Sequence, residues 1–310
     1  MTYDDLRQAL TLRPDVEYGA PPRAARYVVG GMGGSALPGN AVRFLDPAFP
    51  VSVHRGYDLP EALSDDTLYI AISYSGNTAE TLSFARAAHE KGLPLAVIAG
   101  GGQLEAFAEE RRLPLVRVPQ GEQPRSALFY QLGAFLALAG RSDLQDALAS
   151  ATFDAAVAEK AATRLTDVLK DTLPHFYAAR SNGFLAWVAK INTNEGAKMP
   201  GYANVFSELN HNEMQGFDEM APEAIARFAR FVLLRDPGED PRIARRMEVF
   251  KEVMGSRGRT VHELVLWGDT RAAQLAQAWF VLHRYERLLS AARGVNPDAV
   301  PLIEDFKRTL

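Results

Sequence analysis

Three side-chain hydroxyls, Ser73, Ser75 and Thr78, crowd into the stretch AISYSGNTAET (71–81). No lysine accompanies them. Hydroxyl and backbone donors at a strand-to-helix turn suit a phosphate monoester held by neutral groups. Asn77 and Glu80 have the spacing of a capping box, which accounts for Asn77 but not for the serines. A second turn of the same kind, VVGGMGGSAL (28–37), presents Gly34 and Ser35 where glycines let a backbone approach a ligand closely. No Gly-Lys-Ser/Thr follows it, and its glycine spacing misses the dinucleotide fingerprint. Arg125, in GEQPRSALFYQ (121–131), reads as the first turn of a helix, where the macrodipole disfavours a cation. A nearby anion accounts for it better than a surface ion pair. Glutamate and histidine, the residues of general acid–base work, concentrate in 184–218 as Glu195, Glu208, His211 and Glu213. Pattern alone leaves the choice among the three glutamates open.

The elements that must position these groups follow from the apolar runs. YVV (27–29), VSVH (51–54), TLYIAIS (67–73), LAVIAG (95–100) and PLVRV (114–118) read as five buried strands. Helical patterns over 78–91, 103–110 and 126–139 separate or follow them, and this alternation predicts a parallel sheet with helices on both faces. A long helical segment leads away from about Ser150. HFYAA (175–179), ANVFSEL (203–209), ARFVLLR (229–235) and VHELVLW (261–267) then form a second strand set, closed by a helix over 270–293. The expected architecture is therefore α/β, two similar doubly wound parallel-sheet domains, split as 1–150 and 151–310. In such sheets ligands collect at the carboxyl ends of strands, where Ser35 and the 73–78 cluster would lie. Phe184, Trp187, Val188 and Ile191 trace a helical stripe, and its extension falls on Asn194, Glu195 and Lys198. Glu195 is then either a frayed helix end or a functional carboxylate.

Composition excludes several other classes. The 310 residues are 47% hydrophobic and 23% charged, with a net charge of −4, which argues against nucleic acid or an anionic membrane as the main partner. There is no cysteine, so disulfides, thiolate chemistry and Cys-ligated zinc are ruled out, and a reducing cytoplasm is the expected compartment. The opening MTYDDLRQAL lacks the apolar core of a secretory signal. No metal site is expected, because His211 has no second histidine at ligand spacing. The other five (His54, His89, His175, His262 and His283) are scattered and read as structural or solvated.

Taken in order, GMGGSAL, SYSGNTAET, PRSAL, NEGAK followed by SELNHNE, and the C-terminal GVNPDAVPLIEDFKRTL resemble the bifunctional phosphoglucose/phosphomannose isomerases. The resemblance spans nearly the whole chain. It implies two sugar-isomerase domains of flavodoxin-like type that interconvert glucose 6-phosphate, and mannose 6-phosphate, with fructose 6-phosphate through a cis-enediol. It also implies roles for residues. Gly34, Ser35, Ser73, Ser75 and Thr78 would bind the sugar 6-phosphate, and Arg125 would stabilise the enediolate. Glu195 would move the proton between C1 and C2, while His211 and Lys307 would assist ring opening. No cofactor is implied, and a homodimer is, with the histidine donated across subunits. Three positions depart from the family pattern: Gly196 stands where asparagine is usual, Ser207 where proline is common, and Val300 where some members carry threonine. The turn after HFYAA also lacks the expected glycines. The competing readings are a non-catalytic sugar-phosphate-binding module and an isomerase of an amino-sugar phosphate. No DNA-binding segment stands outside the two domains to favour the module.

Overall fold

Every residue of TLYIAIS is buried, which is what a central strand covered on both faces requires. A computed structural model describes residues 2–309 apart from Leu63, Glu122, Glu219 and Ala221. The chain folds as two compact units, Met1–Ala151 and Thr152–Leu310. In the first unit, β1 (Arg26–Gly30), β2 (Val51–His54), β3 (Thr67–Ser73), β4 (Leu95–Ala99) and β5 (Leu115–Arg117) form one parallel sheet in the order β2-β1-β3-β4-β5. Its helices are α1 (Tyr3–Thr11), α2 (Leu37–Leu45), α3 (Ala79–Glu90), α4 (Gly102–Arg111), α5 (Leu128–Leu138) and α6 (Ser142–Ala149). The period-2 alternation of the strands sends Tyr69, Ala71 and Val97 to one face, against Phe84 of α3 and Phe107 of α4. Tyr27 goes to the other face, 6.0 Å from the ring of Phe135 in α5. The sheet is doubly wound, and its order reverses between β1 and β3.

The second unit repeats the plan with one strand fewer. It runs through α7 (Ala155–Leu169), β6 (Leu173–Ala179), α8 (Gly183–Ile191), β7 (Tyr202–Phe206), α9 (Glu223–Ala226), β8 (Ala229–Arg235), α10 (Pro241–Ser256), β9 (Thr260–Val265), α11 (Arg271–Ala292) and α12 (Pro301–Thr309). The strands pair in parallel in the order β7-β6-β8-β9. Phe206, Phe231 and Phe250 interlock with Tyr177 under α10, each ring contributing roughly 1.5–3 kcal/mol by burial. On the opposite face Phe176 meets Tyr285 of α11 at 6.2 Å. No helix among the described residues is long and apolar enough to cross a membrane.

Several element boundaries differ from the sequence reading. The strand read over 203–209 stops at Phe206, and Glu208–His211 coil into a short 3₁₀ turn instead. Its alternating pattern is real, but only Tyr202–Phe206 find a partner in β6. The long segment from Ser150 is helical only from Ala155, where Asp154 caps α7 through the N–H groups of Ala156 and Val157. The helix expected over 126–139 begins at Leu128. Arg125 therefore lies in the turn before α5 rather than in its first turn.

Candidate active site

The two hydroxyl-bearing turns of the first unit meet at the point where the strand order reverses. Ser35 sits in a 3₁₀ turn (Gly33–Ala36) after β1, is 5% exposed, and its Oγ accepts the N–H of Tyr74 at 3.1 Å. That bond ties the β1 turn to the β3 turn. Ser73, at the last position of β3 and fully buried, donates its hydroxyl to Thr78 Oγ1 at 3.1 Å. Between them the chain must reverse tightly, and Gly76 does so at φ +67°, where any side chain would run into the Gly101 peptide.

The expected capping box does not form. Thr78 is the N-cap of α3 and makes no side-chain cap bond. Asn77 turns away, its Oδ1 accepting the N–H of Gln103 at 3.1 Å at the start of α4. A tertiary contact has taken the side chain that local spacing assigned to the helix. The first turn of α3, the positive end of its dipole, is thereby left without a side-chain cap beside two hydroxyls. Ser75 is exposed, and its Oγ accepts the N–H of Asn77 at 3.3 Å.

Arg125 joins this crevice through Gly34. A Cβ at position 34 would lie 2.6 Å from the carbonyl of Pro124 and 2.7 Å from the Arg125 nitrogen, so the glycine lets the two turns touch backbone to backbone. The Arg125 turn is itself fixed from below. Gln131, fully buried in α5, donates to the Pro124 carbonyl at 3.3 Å. Arg125 is 3% exposed, and its guanidinium donates to Gln123 Oε1 at 3.5 Å. Four features of the first unit thus converge on one crevice: Ser35, the Ser73–Thr78 pair, the α3 N-terminus and the Arg125 turn.

In the second unit Glu195 does not continue a helical stripe. α8 ends at Ile191 and the chain widens into a π turn, Asn192–Gly196, closed by the N–H of Ala197 on the Asn192 carbonyl at 3.2 Å. Such turns recur at functional sites. The wider turn rotates Asn192, Thr193 and Gly196 inward and leaves Glu195 half-buried. The stripe itself needs correction, because Trp187 is 42% exposed, with Lys190 Nζ 4.7 Å from the centre of its ring system. α11 holds the π turn. Asn192 Nδ2 donates to the Leu282 carbonyl at 3.2 Å, and Thr193 Oγ1 pairs with the Tyr285 hydroxyl at 3.0 Å. Arg293, just past α11, donates to the Ala197 carbonyl at 2.9 Å. Lys198, at φ +55°, bonds the carbonyl of Glu195 and, at 3.4 Å, that of Pro297.

His211 is exposed at the end of its 3₁₀ turn. Two residues on, Glu213 anchors this segment to the sheet. The Tyr177 hydroxyl donates to Glu213 Oε1 at 2.6 Å, Asn204 donates to Oε2, and His175 Nδ1 lies 3.5 Å from Oε1. Burial pushes the Glu213 carboxyl up, but the bonds from His175, Tyr177 and Asn204 outweigh it and hold it down at about 2. Burial, and then the Glu213 charge, push the Tyr177 phenol well above its ordinary value. Of the three glutamates left open by pattern, Glu213 is thus committed to structure. Glu208 is exposed and accepts from Asn212 at 2.9 Å. Lys307 lies on α12, whose described residues are all exposed.

The second unit has its own strand-order reversal, between β6 and β8, and the contents of that crevice differ. Asp236, just after β8 and 5% exposed, accepts from Asn182 Nδ2 at 3.1 Å, from Arg271 Nη1 at 2.5 Å and from the N–H of Gly238 at 2.9 Å. Burial raises the Asp236 carboxyl, and the bonds from Gly238, Arg271 and Asn182 more than reverse this, so it is held below its ordinary value. Here the chain supplies its own anion. Sequence reading missed this network, and its one signal was the missing glycine-rich turn after β6. Asn192, Thr193, Tyr285 and Glu286 were also missed, since each reads locally as an ordinary helical residue.

Residues 158–310 match the family model described as the bacterial phospho-glucose isomerase C-terminal SIS domain. A bifunctional phosphoglucose/phosphomannose isomerase of Caldicellulosiruptor bescii is 33% identical over 304 residues, covering 92% of this chain and 89% of the relative. A D-glucosamine-6-phosphate 4-epimerase of Sulfolobus acidocaldarius is 32% identical over 191 residues, covering 60% of this chain and 61% of the relative. In fold, the chain is similar to the crystal structure of a hypothetical protein from Thermus thermophilus. The TM-score is 0.67 at 19% identity, covering 99% of this chain and 86% of the other.

Proposed function

The chain belongs to the bifunctional phosphoglucose/phosphomannose isomerase family, and on that premise we propose that it interconverts glucose 6-phosphate and mannose 6-phosphate with fructose 6-phosphate. In the proposed reaction the substrate phosphate takes donors from the crevice of the first unit, namely Gly34, Ser35, Ser73, Ser75, Thr78 and the first turn of α3. His211 and Lys307 move the protons that open the pyranose ring. The Glu195 carboxylate then removes the C2 proton of the open-chain aldose, and the electron pair forms the C1=C2 bond of the enediolate. The developing charge on O1 is stabilised by the Arg125 guanidinium. The O2 hydroxyl proton passes to O1, and return of the proton from Glu195 to C1, as the C2 oxygen becomes a carbonyl, gives the ketose. A carboxylate and a fixed cation suffice for this path, so it calls on no metal or organic cofactor.

The observation that carries this reading is the α3 N-terminus. It has no side-chain cap and is flanked by the Ser73–Thr78 pair and Ser35, which is what a phosphate monoester needs. The protein is proposed to work in the cytoplasm as a homodimer, with His211, exposed on its own chain, serving the partner's site. A coupled assay with fructose 6-phosphate, glucose 6-phosphate and mannose 6-phosphate tests the activity. Turnover of all three is expected, and failure to convert fructose 6-phosphate into either aldose phosphate would overturn the reading. The relative from Sulfolobus acidocaldarius favours a second reading, an enzyme of amino-sugar 6-phosphates. Turnover of glucosamine 6-phosphate in preference to glucose 6-phosphate would select it.

A further inference from the structure

Glu286 is an anomaly in α11. It is fully buried, between Tyr285, which faces Thr193, and Leu289, which is also buried. A glutamate is almost never fully buried unless it is paired. Its side chain fills the space that a side chain at position 196 would occupy. A Cβ added to Gly196 would lie 2.5 Å from Glu286 Cδ and still closer to Cγ and Oε1. Gly196 closes the π turn that presents Glu195. Residues 282, 285 and 286 form one face of α11, and they meet residues 192, 193 and 196 of the turn in the same order.

We propose that Glu286 is a positioning residue for Glu195, its side chain bracing the backbone at Gly196 so that the π turn holds the Glu195 carboxylate in one place. The proposal rests on the reading of Glu195 as the base. It also explains Gly196: with Glu286 packed against the turn, only glycine fits there. Removing the brace leaves a void under the residue adjacent to the base, and overfilling it pushes the turn outward. Either change displaces the carboxylate, and a displacement of about 1 Å can cost on the order of a hundredfold in rate. Binding of the sugar phosphate is a separate matter, since its proposed donors lie in the first unit.

The test compares Glu286→Ala, Glu286→Gln, Gly196→Ala and the double variant Gly196→Ala/Glu286→Ala with wild type. Steady-state kinetics on fructose 6-phosphate and exchange of its transferred hydrogen with solvent are both measured. Glu286→Ala and Gly196→Ala should each lower kcat by about ten- to a hundredfold while KM stays within about threefold. Glu286→Gln keeps length and volume and should regain most of the kcat lost in Glu286→Ala. The double variant should exceed Gly196→Ala in kcat, because the overlap is gone, and this non-additivity marks direct coupling. Should Glu286→Ala fail to fold, Gly196→Ala and the double variant still decide. If wild type turns over and Glu195→Gln abolishes exchange, yet Glu286→Ala and Gly196→Ala keep kcat within about threefold, the positioning role is wrong. It is equally wrong if KM rises as much as kcat falls. A wild type that exchanges no hydrogen removes the premise itself and the proposal with it.

Discussion

Replacing Glu213 by glutamine should cost stability at neutral pH and progressively less in acid. The carboxylate accepts from Tyr177 and Asn204 at once. A glutamine of the same length offers one oxygen and one NH₂ group, so it cannot accept at both positions at once. The size of the loss follows from protonation. A carboxyl held at about 2 against an ordinary 4.5 corresponds to roughly 3 kcal/mol of folding stability at pH 7. The side chain is 28% exposed, and solvent screening lowers the expected loss to about 2 kcal/mol. Because the folded value is depressed, this stability is fully present above 4.5 and disappears as pH falls towards 2. Urea unfolding of wild type and Glu213→Gln, followed by far-ultraviolet circular dichroism at pH 7 and near pH 3, measures the gap. It should narrow clearly between the two. A gap below about 0.5 kcal/mol at pH 7, or one of equal size near pH 3, refutes the assignment of Glu213 as a charged anchor.

Three further outcomes are expected. Glu195→Gln should lower kcat at least about a hundredfold, with hydrogen exchange falling in parallel and substrate binding nearly intact; Glu208→Gln, from the same stretch, should leave exchange in place, and the reverse pattern would reassign the base. Calorimetry should register glucose 6-phosphate and not glucose, and Ser73→Ala should weaken the phosphate ester through loss of the Ser73–Thr78 pair; equal binding of sugar and ester would remove the anion crevice from the site. Light scattering should find a dimer at working concentrations, and a fully active monomer would count against donation of His211 across subunits.

Much of the fold was legible because its strands are of the doubly covered parallel kind. TLYIAIS and ARFVLLR announce themselves as runs, whatever lies around them. The hydroxyl turns were legible for the same reason, since they sit directly at strand ends. What escaped was set by residues distant in sequence. Asn77 has capping spacing, but Gln103 claims its oxygen from the start of α4. The segment after Ile191 has a helical pattern, yet contacts about ninety residues away, at Leu282, Tyr285 and Glu286, select the wider turn. Trp187 has an apolar ring at an apolar position, and nothing local marks it as exposed. Local spacing proposes such partners, and tertiary competition decides among them.

The carboxylate that closes the second crevice has a consequence for stoichiometry. Two units with the same strand order at their switch points would ordinarily suggest two equivalent anion sites per chain. Asp236 fills the second with a covalently tethered anion, already satisfied by Arg271, Asn182 and Gly238. A tethered group cannot be diluted away, so free phosphate would have to compete there with a carboxylate already held in place. On the proposed phosphate site of the first unit, the expected stoichiometry is one phosphate per chain, and the internal likeness is one of architecture without being one of occupancy. The bonds of Asp236 make the switch point of the second unit a fixed internal joint between β6, β8 and α11.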